Sequence, residues 1–417
     1  MKLIRPFRGL RPTRELAAKV ASHPYDVLNR EEAFELAKGK PFSFLHINKP
    51  EIDVESSVDV HDQSVYDKGK ENLDRFISEG TLVQDGEDKL YVYKQVMGDH
   101  EQYGLVAAAS VEAYENDLIK KHEFTRPEKE DDRVDHMDAL GAQVGPVFLT
   151  YKANESIDEM IAQVTATTPE YDFVAEDGTG HVFWVIEDLA LAASIETAFN
   201  ELECLYVADG HHRSAAASRV RHLHQKRNDS HSGEEPYNYF LTVLFPHNQM
   251  QILDYNRVVK DLNGSEPKAF LEKISQDFNI EEVELATAKP KTARQFGLYL
   301  EGKWYSLSVN EKLQSRIDDT DPVSSLDVSI LQDAVFSPVL DIHDQRTDKR
   351  VDFIGGIRGL EELEKRVDSG QWAAAFALFA TSIESLMAIA DANEVMPPKS
   401  TWFEPKLKSG LVVHILD

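Results

Sequence analysis

One stretch of the chain predicts a strand, a tight turn and a helix in immediate succession: Cys204-Leu205-Tyr206-Val207-Ala208-Asp209-Gly210-His211-His212-Arg213-Ser214-Ala215-Ala216-Ala217. The apolar run before Asp209 is typical of a buried strand, and the alanines after Arg213 favour a helix. An acid, two imidazoles and a guanidinium would then lie at the start of that helix. The first N–H groups of a helix lack partners and its dipole is positive there, so the stretch predicts an anion site. The alternative interpretation is a helix cap with satisfied histidines.

The composition is that of a soluble globular protein with room for two or three domains. The chain has 417 residues, of which 42% are hydrophobic and 28% charged. No run approaches the roughly 18 apolar residues of a membrane span, which predicts a cytoplasmic protein without a membrane partner. The single cysteine, Cys204, excludes an internal disulfide and any multi-thiolate metal site. A net charge of −28 repels nucleic acid, so no nucleic-acid partner is expected. Lysines and arginines held in a pocket of such an acidic protein would have a specific role, such as binding phosphate.

Helical spacing and strand-like alternation follow one another in mixed order along the chain. The predicted helices are 14–22, 30–38, 57–79, 156–164, 189–202, 266–278, 289–295, 324–336 and 382–393, besides the one after Arg213. Capping boxes are predicted at Ser156 with Glu159 and at Thr381 with Glu384. The predicted strands are 89–96, 102–111, 145–151, 181–187, 204–208, 237–245, 296–300, 304–309, 374–380 and 411–416.

This order of elements predicts an α+β fold (mixed α/β), with largely antiparallel or mixed sheets and helices. A weakly marked boundary near residue 200 suggests two regions. The N-terminal α/β region, 1–200, would contribute part of the site, and the C-terminal α/β region, 201–417, would carry Asp209–Arg213.

Two charged segments are candidates to join the predicted anion site. Residues 120–133 are either a charged surface helix or part of the site, because densely opposed charges can hold one another in place. Within them Glu123, beside a histidine, is a candidate general base. Residues 396–410 combine prolines, aromatic residues and three lysines, including Lys399 and Lys406. That segment is either a phosphate clamp or a structural loop.

Two shorter segments are also candidates. Residues 355–359 form a glycine-rich loop with one guanidinium, that of Arg358. Residues 23–27, His23-Pro24-Tyr25-Asp26-Val27, either line a pocket or pack structurally.

Several motifs together resemble a prokaryotic family known only as a domain of unknown function, and the similarity covers nearly the whole chain. The family name implies no activity. The motifs are Pro6-Phe7-Arg8-Gly9, Pro24-Tyr25-Asp26-Val27, Lys121-His122-Glu123 with Thr125, Ala208-Asp209-Gly210-His211-His212-Arg213 and Met396-Pro397-Pro398-Lys399-Ser400-Thr401.

Asp209–Arg213 also resembles a turn of the ParB/sulfiredoxin-like fold, which implies a core of that kind. In sulfiredoxin the turn reads Gly-Cys-His-Arg, and His211 in place of the cysteine is at odds with thiol chemistry. ParB matches only at Gly210 and Arg213. The turn is most similar to that of the free-serine kinases, which phosphorylate L-serine. Their Asp-Gly-x-His-Arg pattern is intact here, and their upstream glutamate corresponds to Glu123.

The resemblance implies a small-molecule kinase that transfers a phosphoryl group from ATP, ADP or pyrophosphate to the hydroxyl of a free amino acid, most simply L-serine. Our hypothesis is that Gly210 and the N–H groups after it cradle the donor phosphate, and Glu123 takes the hydroxyl proton. The other expected roles are charge neutralisation by Arg213, stabilisation of the transferred group by His211 or His212, Mg²⁺ binding by Asp209, and binding of remaining phosphate or carboxylate charge by Arg358, Lys399 and Lys406. The alternatives are a non-catalytic nucleotide or metabolite sensor on the same fold, and a phosphohydrolase.

Overall fold

The computed structural model describes residues 2–417, which form two compact units. Unit 1 contains the chain up to Met250 together with Pro405–Asp417, and unit 2 is Gln251–Glu404. In the sequence, unit 2 is therefore an insertion into unit 1. Residue 200 lies within unit 1, and the division into 1–200 and 201–417 stays a prediction.

Over the described residues, unit 1 is built from nine α-helices and thirteen strands. The helices are α1 Ala17–Val20, α2 Arg30–Ala37, α3 Leu45–Asn48, α4 Gln63–Ser78, α5 Val111–Glu115, α6 Pro127–Leu140, α7 Glu155–Thr165, α8 Leu189–Asn200 and α9 His211–Arg227. The strands are β1 Ile4–Arg5, β2 Gly9–Pro12, β3 Leu82–Gln84, β4 Tyr91–Met97, β5 His100–Ser110, β6 Ile119–Lys120, β7 Ala142–Gln143, β8 Val147–Tyr151, β9 Tyr171–Val174, β10 Gly180–Val185, β11 Leu205–Asp209, β12 Tyr239–Pro246 and, after the insertion, β21 Val413–Ile415.

The main sheet of unit 1 has nine strands in the order β6-β11-β8-β12-β5-β4-β10-β9, with β1 paired to β5. Its pairs are antiparallel except β6 with β11 and β8 with β12, which are parallel. A second sheet has the order β3-β2-β21-β7. Both sheets and the helices around them confirm the predicted α+β class with largely antiparallel or mixed sheets. The ParB/sulfiredoxin-like core stays a prediction.

The core of unit 1 positions strand β11. Leu205 and Val207 are fully buried, and they pack in one apolar cluster with Leu149 of β8, Phe199 of α8 and Ala217 of α9. Tyr206 and Ala208 are buried as well, so β11 is buried on both faces and the strand becomes partly exposed only at Asp209.

Unit 2 contains a six-stranded sheet, β15-β17-β16-β19-β14-β18, and the pair β13-β20. Its strands are β13 Gln251–Leu253, β14 Tyr255–Val259, β15 Phe278–Val283, β16 Gln295–Leu300, β17 Lys303–Val309, β18 Val351–Gly355, β19 Ala374–Leu378 and β20 Trp402–Glu404. Its helices are α10 Pro267–Ile274, α11 Leu285–Ala288, α12 Glu311–Gln314, α13 Asp327–Leu331, α14 Gly359–Asp368 and α15 Ile383–Asp391. The strands predicted at 296–300 and 304–309 are confirmed as β16 and β17, which pair with each other as an antiparallel hairpin.

Two predicted helices of unit 2 are wrong in whole or in part. The helix predicted at 289–295 is absent, and Arg294 within it has φ of 67°, outside the helical region. The preceding helix α11 ends at Ala288, because Pro290 disfavours helical backbone at Lys289. The helix predicted at 266–278 ends at Ile274, and Phe278 already belongs to β15, which pairs with β17.

Three helix starts also differ from the prediction. The helix predicted at 57–79 begins at Gln63, because the side chain of Asp62 accepts a hydrogen bond from the N–H of Ser64. Asn154, rather than Ser156, caps α7. Ser382, rather than Thr381, caps α15. Within residues 2–417, no helix combines the length and apolarity needed to cross a bilayer.

Candidate functional site

The predicted strand, turn and helix are confirmed at Asp209–His211. The pairing of β11 with β8 shifts register between Val207 and Asp209, and such a bulge re-aims the side chains beside it. Gly210 follows with φ of 101°, the left-handed region, and α9 begins at His211. A Cβ on Gly210 would lie 3.1 Å from Nε of Arg213. Only glycine suits both this backbone conformation and this close approach.

Arg213, in the first turn of α9, is held from several sides. Its side chain is 5% exposed. Nη2 lies 3.5 Å from Oδ2 of Asp26 and 3.7 Å from Oδ2 of Asp209. Nη1 donates a hydrogen bond to the carbonyl oxygen of Pro146. Burial opposes the charge of Arg213, but Asp26 and Asp209 outweigh it and raise the pKa. Nε is buried and has no hydrogen-bond partner within residues 2–417, which leaves a donor for a ligand or water.

Asp209 is a partly exposed carboxylate beside two cations. Its side chain is 31% exposed, and Oδ2 lies 3.2 Å from Nζ of Lys406. Burial would raise the pKa of Asp209, but Lys406 and Arg213 hold it well below its ordinary value. The carboxylate is therefore ionised at neutral pH, and solvent reaches it.

His211 forms a buried imidazole pair with His122. The two rings meet edge to face with centroids 4.4 Å apart. Burial lowers the pKa of His211 to about 4 and that of His122 well below its ordinary value, so both are neutral at pH 7. Nδ1 of His211 lies 3.7 Å from Oε2 of Glu123. Over the described residues, Nε2 of His211 and Nδ1 of His122 are buried without hydrogen-bond partners.

His212 ties the loop that carries Glu123 to α9. Its Nε2 accepts a hydrogen bond of 3.1 Å from the backbone N–H of Arg126, so the neutral ring carries its proton on Nδ1. Residues 120–133 are not one continuous helix, since α6 begins at Pro127. The Glu123 side chain is 49% exposed, so the loop presents its carboxylate to solvent.

The structure brings together most of the residues that the sequence suggested for the site. Lys406 and Arg213 form ion pairs with Asp209. Glu123 lies 3.7 Å from the neutral His211 ring, and all five residues belong to unit 1. Arg358 and Lys399 belong to unit 2, where both are exposed and Lys399 Nζ lies 5.6 Å from the ring centre of Tyr255. The roles assigned to all of these residues stay predictions.

Sequence reasoning gave no role to three groups that contact this cluster. The segment with Asp26 was only a possible pocket lining, although it lies within one of the motifs of the family resemblance. From the sequence, His122 is only the neighbour of Glu123. The carbonyl of Pro146 has no side-chain signal, so only the fold could have found it.

Asp209 is the one residue that the sequence suggested as a metal ligand. Within residues 2–417, no three His, Cys, Asp or Glu side chains are grouped so that they could hold a metal ion. Mg²⁺, however, commonly takes one or two protein carboxylates and completes its shell with water and substrate phosphates. An ionised, partly exposed Asp209 fits that single-ligand requirement.

Comparison with known proteins gives one family. The sequence model of the family described as "Protein of unknown function (DUF1015)" matches residues 4–329, which is most of the chain. A search of curated proteins found no match.

Solved structures that are similar to this chain include three proteins with low sequence identity to it. Free serine kinase in complex with AMP is 14% identical, over 73% of this chain and 92% of that one, with a TM-score of 0.34. A conserved hypothetical protein from Pyrococcus furiosus is 16% identical, over 73% and 95%, with a TM-score of 0.33. SbnI with C-terminal truncation from Staphylococcus aureus is 11% identical, over 72% and 84%, with a TM-score of 0.37. Structural similarity this weak assigns no function to this chain.

Proposed function

We propose that this chain, which belongs to the family described as protein of unknown function (DUF1015), is a phosphotransferase that acts on the hydroxyl of a free amino acid, L-serine. The observation that carries the proposal is the start of α9, where Gly210 leads into a helix flanked by Arg213 and Lys406, with Glu123 nearby. The likeness of Asp209–Arg213 to the free-serine kinases suggests the acceptor.

The start of α9 supports phosphate binding. The first N–H groups of a helix have no partner within it, and its dipole attracts negative charge. Arg213 is buried and charged, with Nε unpaired over the described residues. A fixed guanidinium and unpaired backbone donors stabilise charge on a transferring phosphoryl group without having to reorganise.

The acceptor side of the proposal rests on Glu123. Its carboxylate is half exposed and lies 3.7 Å from the neutral His211 ring, so an alcohol can approach it. In the proposed reaction the serine oxygen forms the new P–O bond while the bond from phosphorus to the donor's bridging oxygen breaks. The hydroxyl proton passes to Glu123, and the donor leaves with the electron pair.

The remaining charges support the same reaction. Asp209 would hold Mg²⁺, which supplies charge neutralisation at the donor phosphates when it is bound. Lys406, which already contacts Asp209, would bind a further phosphate or carboxylate oxygen. Arg358 and Lys399 are proposed for the same task, and the donor is ATP, ADP or pyrophosphate.

The test is a direct assay on the full chain. The protein is incubated with Mg²⁺, L-serine and each donor separately, and phosphoserine is measured by mass spectrometry. L-alanine, which lacks the hydroxyl, is the matched acceptor control. We expect phosphoserine with at least one donor and no phosphorylated product from L-alanine. Folded protein that yields no phosphoserine with any donor would refute the proposal.

One pair of variants tests the role of Glu123. Glu123→Gln should lower turnover by about 100-fold or more, because it removes the base but keeps the shape. Glu128→Gln, an exposed change five residues further on, should leave turnover unchanged. Phosphate release without serine would indicate a phosphohydrolase, and ligand binding without turnover by the parent protein would indicate a sensor.

A further inference from the structure

Unit 1 contains a cavity of about 490 Å³, well within the range of small-molecule sites. Its lining includes Leu36, Phe42, Leu45 and Phe173, which give it apolar walls. None of the residues in the proposed transferase mechanism lines it.

A buried ammonium group distinguishes this cavity from an apolar crevice. Lys408 lines it with a side chain only 6% exposed, and Nζ lies 2.6 Å from Oδ2 of Asp177. Burial opposes ionisation of Asp177, but chiefly the hydrogen bond from Lys408 lowers its pKa to about 2. An ammonium has three donors, so one carboxylate oxygen does not exhaust Lys408.

The other charges around the cavity leave an excess of positive charge. Lys40 pairs with Glu176 at 2.7 Å, and Lys19 adds an exposed ammonium at the rim. His23, which lies 3.8 Å from Asp177, adds little charge, since burial and then Lys408 lower its pKa. Three lysines against two carboxylates stand out in a chain whose net charge is −28.

We infer that this cavity binds a small organic anion, with an apolar or aromatic body between the apolar walls and a carboxylate, sulfonate or phosphate directed to the lysines. The inference is independent of the proposed transferase function. It gives unit 1 a second ligand besides the transferase substrates. Two segments connect the cavity that would hold this ligand to the transferase site. Residues 23–26 run from the cavity to Asp26, and residues 406–408 run from Lys406 to the cavity.

The probe is 1-anilinonaphthalene-8-sulfonate, an aromatic anion whose fluorescence rises in apolar surroundings. Its uncharged counterpart, N-phenyl-1-naphthylamine, has the same aromatic body without the sulfonate. The full chain is titrated with each. We expect saturable binding of one sulfonate probe per chain, at least tenfold tighter than the neutral probe. Absence of saturable binding, or equal affinity for both probes, would overturn the inference.

Variants locate the binding. Ala21→Trp fills the cavity and should abolish binding, whereas Ala162→Trp on the exposed face of α7 should not. Lys19→Glu reverses one rim charge and should weaken only the sulfonate probe, by about fivefold. Since Lys19 is exposed, this variant tests the inference even if Ala21→Trp fails to fold. Unchanged sulfonate affinity in Lys19→Glu, or in a folded Ala21→Trp, would place the probe elsewhere and reject the site. The test requires no turnover, so failure of the transferase proposal leaves its outcome interpretable.

Discussion

Replacing Gly210 by alanine should loosen the start of α9 and displace Arg213. A residue with a Cβ is strained at φ of 101°. The Cβ added at position 210 would also lie 3.1 Å from Nε of Arg213. Strain of this kind costs about 1–3 kcal/mol, and we expect about 2 kcal/mol because the guanidinium must also move. That loss corresponds to about 30-fold faster amide exchange where exchange requires opening of this region.

The assay is hydrogen exchange followed by mass spectrometry on peptides that cover residues 205–220. The matched control is Gly178→Ala, because Gly178 has φ of 81° but a Cβ added there would meet nothing within 4 Å beyond its chain neighbours. That change should cost about 1 kcal/mol, from backbone strain alone, and should leave the exchange of residues 205–220 near its original rate. Gly210→Ala should also weaken binding of inorganic phosphate. If Gly210→Ala matched Gly178→Ala in both measurements, the close approach to Arg213 would have no energetic consequence and the reasoning would be wrong.

Three further predictions concern the same cluster. Unfolded His211 has the ordinary pKa of 6.5 and folded His211 about 4, so the unfolded chain binds more protons between these values. The stability that this group contributes is therefore present above pH 6.5 and falls by about 3 kcal/mol as the pH is lowered to 4. An equal urea midpoint at pH 6.5 and pH 4 would contradict this prediction. Asp209→Asn should reduce phosphoserine formation by about 100-fold while donor affinity, measured by calorimetry, changes much less; a variant with full turnover would exclude Asp209 from the chemistry. Arg213→Lys should lower the free energy of unfolding by about 2 kcal/mol, because one ammonium cannot serve Asp26 and the Pro146 carbonyl together, and an unchanged urea midpoint would argue against that bracing role.

Local sequence was informative where a structure depends on neighbouring residues. The strand, turn and helix around Gly210 follow from an apolar run, a glycine and a run of alanines, and the structure has all three. Strands β16 and β17 likewise follow from local sequence, and they pair with each other as a hairpin. Its partner β15 was missed, because residues 266–278 have helical spacing and only pairing with β17 makes the last of them a strand.

In the site, too, contacts between residues close in sequence could be predicted, whereas contacts between residues far apart in the chain could not. That Asp209 and Arg213 are close follows from their spacing across a helix start. Asp26 braces Arg213 from the other side, and Lys406 reaches Asp209. Both contacts join residues that are far apart in the sequence, so they depend on the tertiary fold. No local pattern encodes such contacts, so from the sequence these residues could be named only as charged residues in unusual segments.

The contact between Lys406 and Asp209 has a consequence for how the protein is made. The two residues are 197 positions apart, and all of unit 2 is synthesised between them. At about 5–20 residues per second, about 10–40 s pass between the synthesis of Asp209 and the synthesis of Lys406. During that interval Asp209 and Arg213 can fold together without their third charged partner. The cluster at the start of α9 therefore gains Lys406 only after all of unit 2 has been synthesised, and a ribosome that stalls within unit 2 leaves it incomplete.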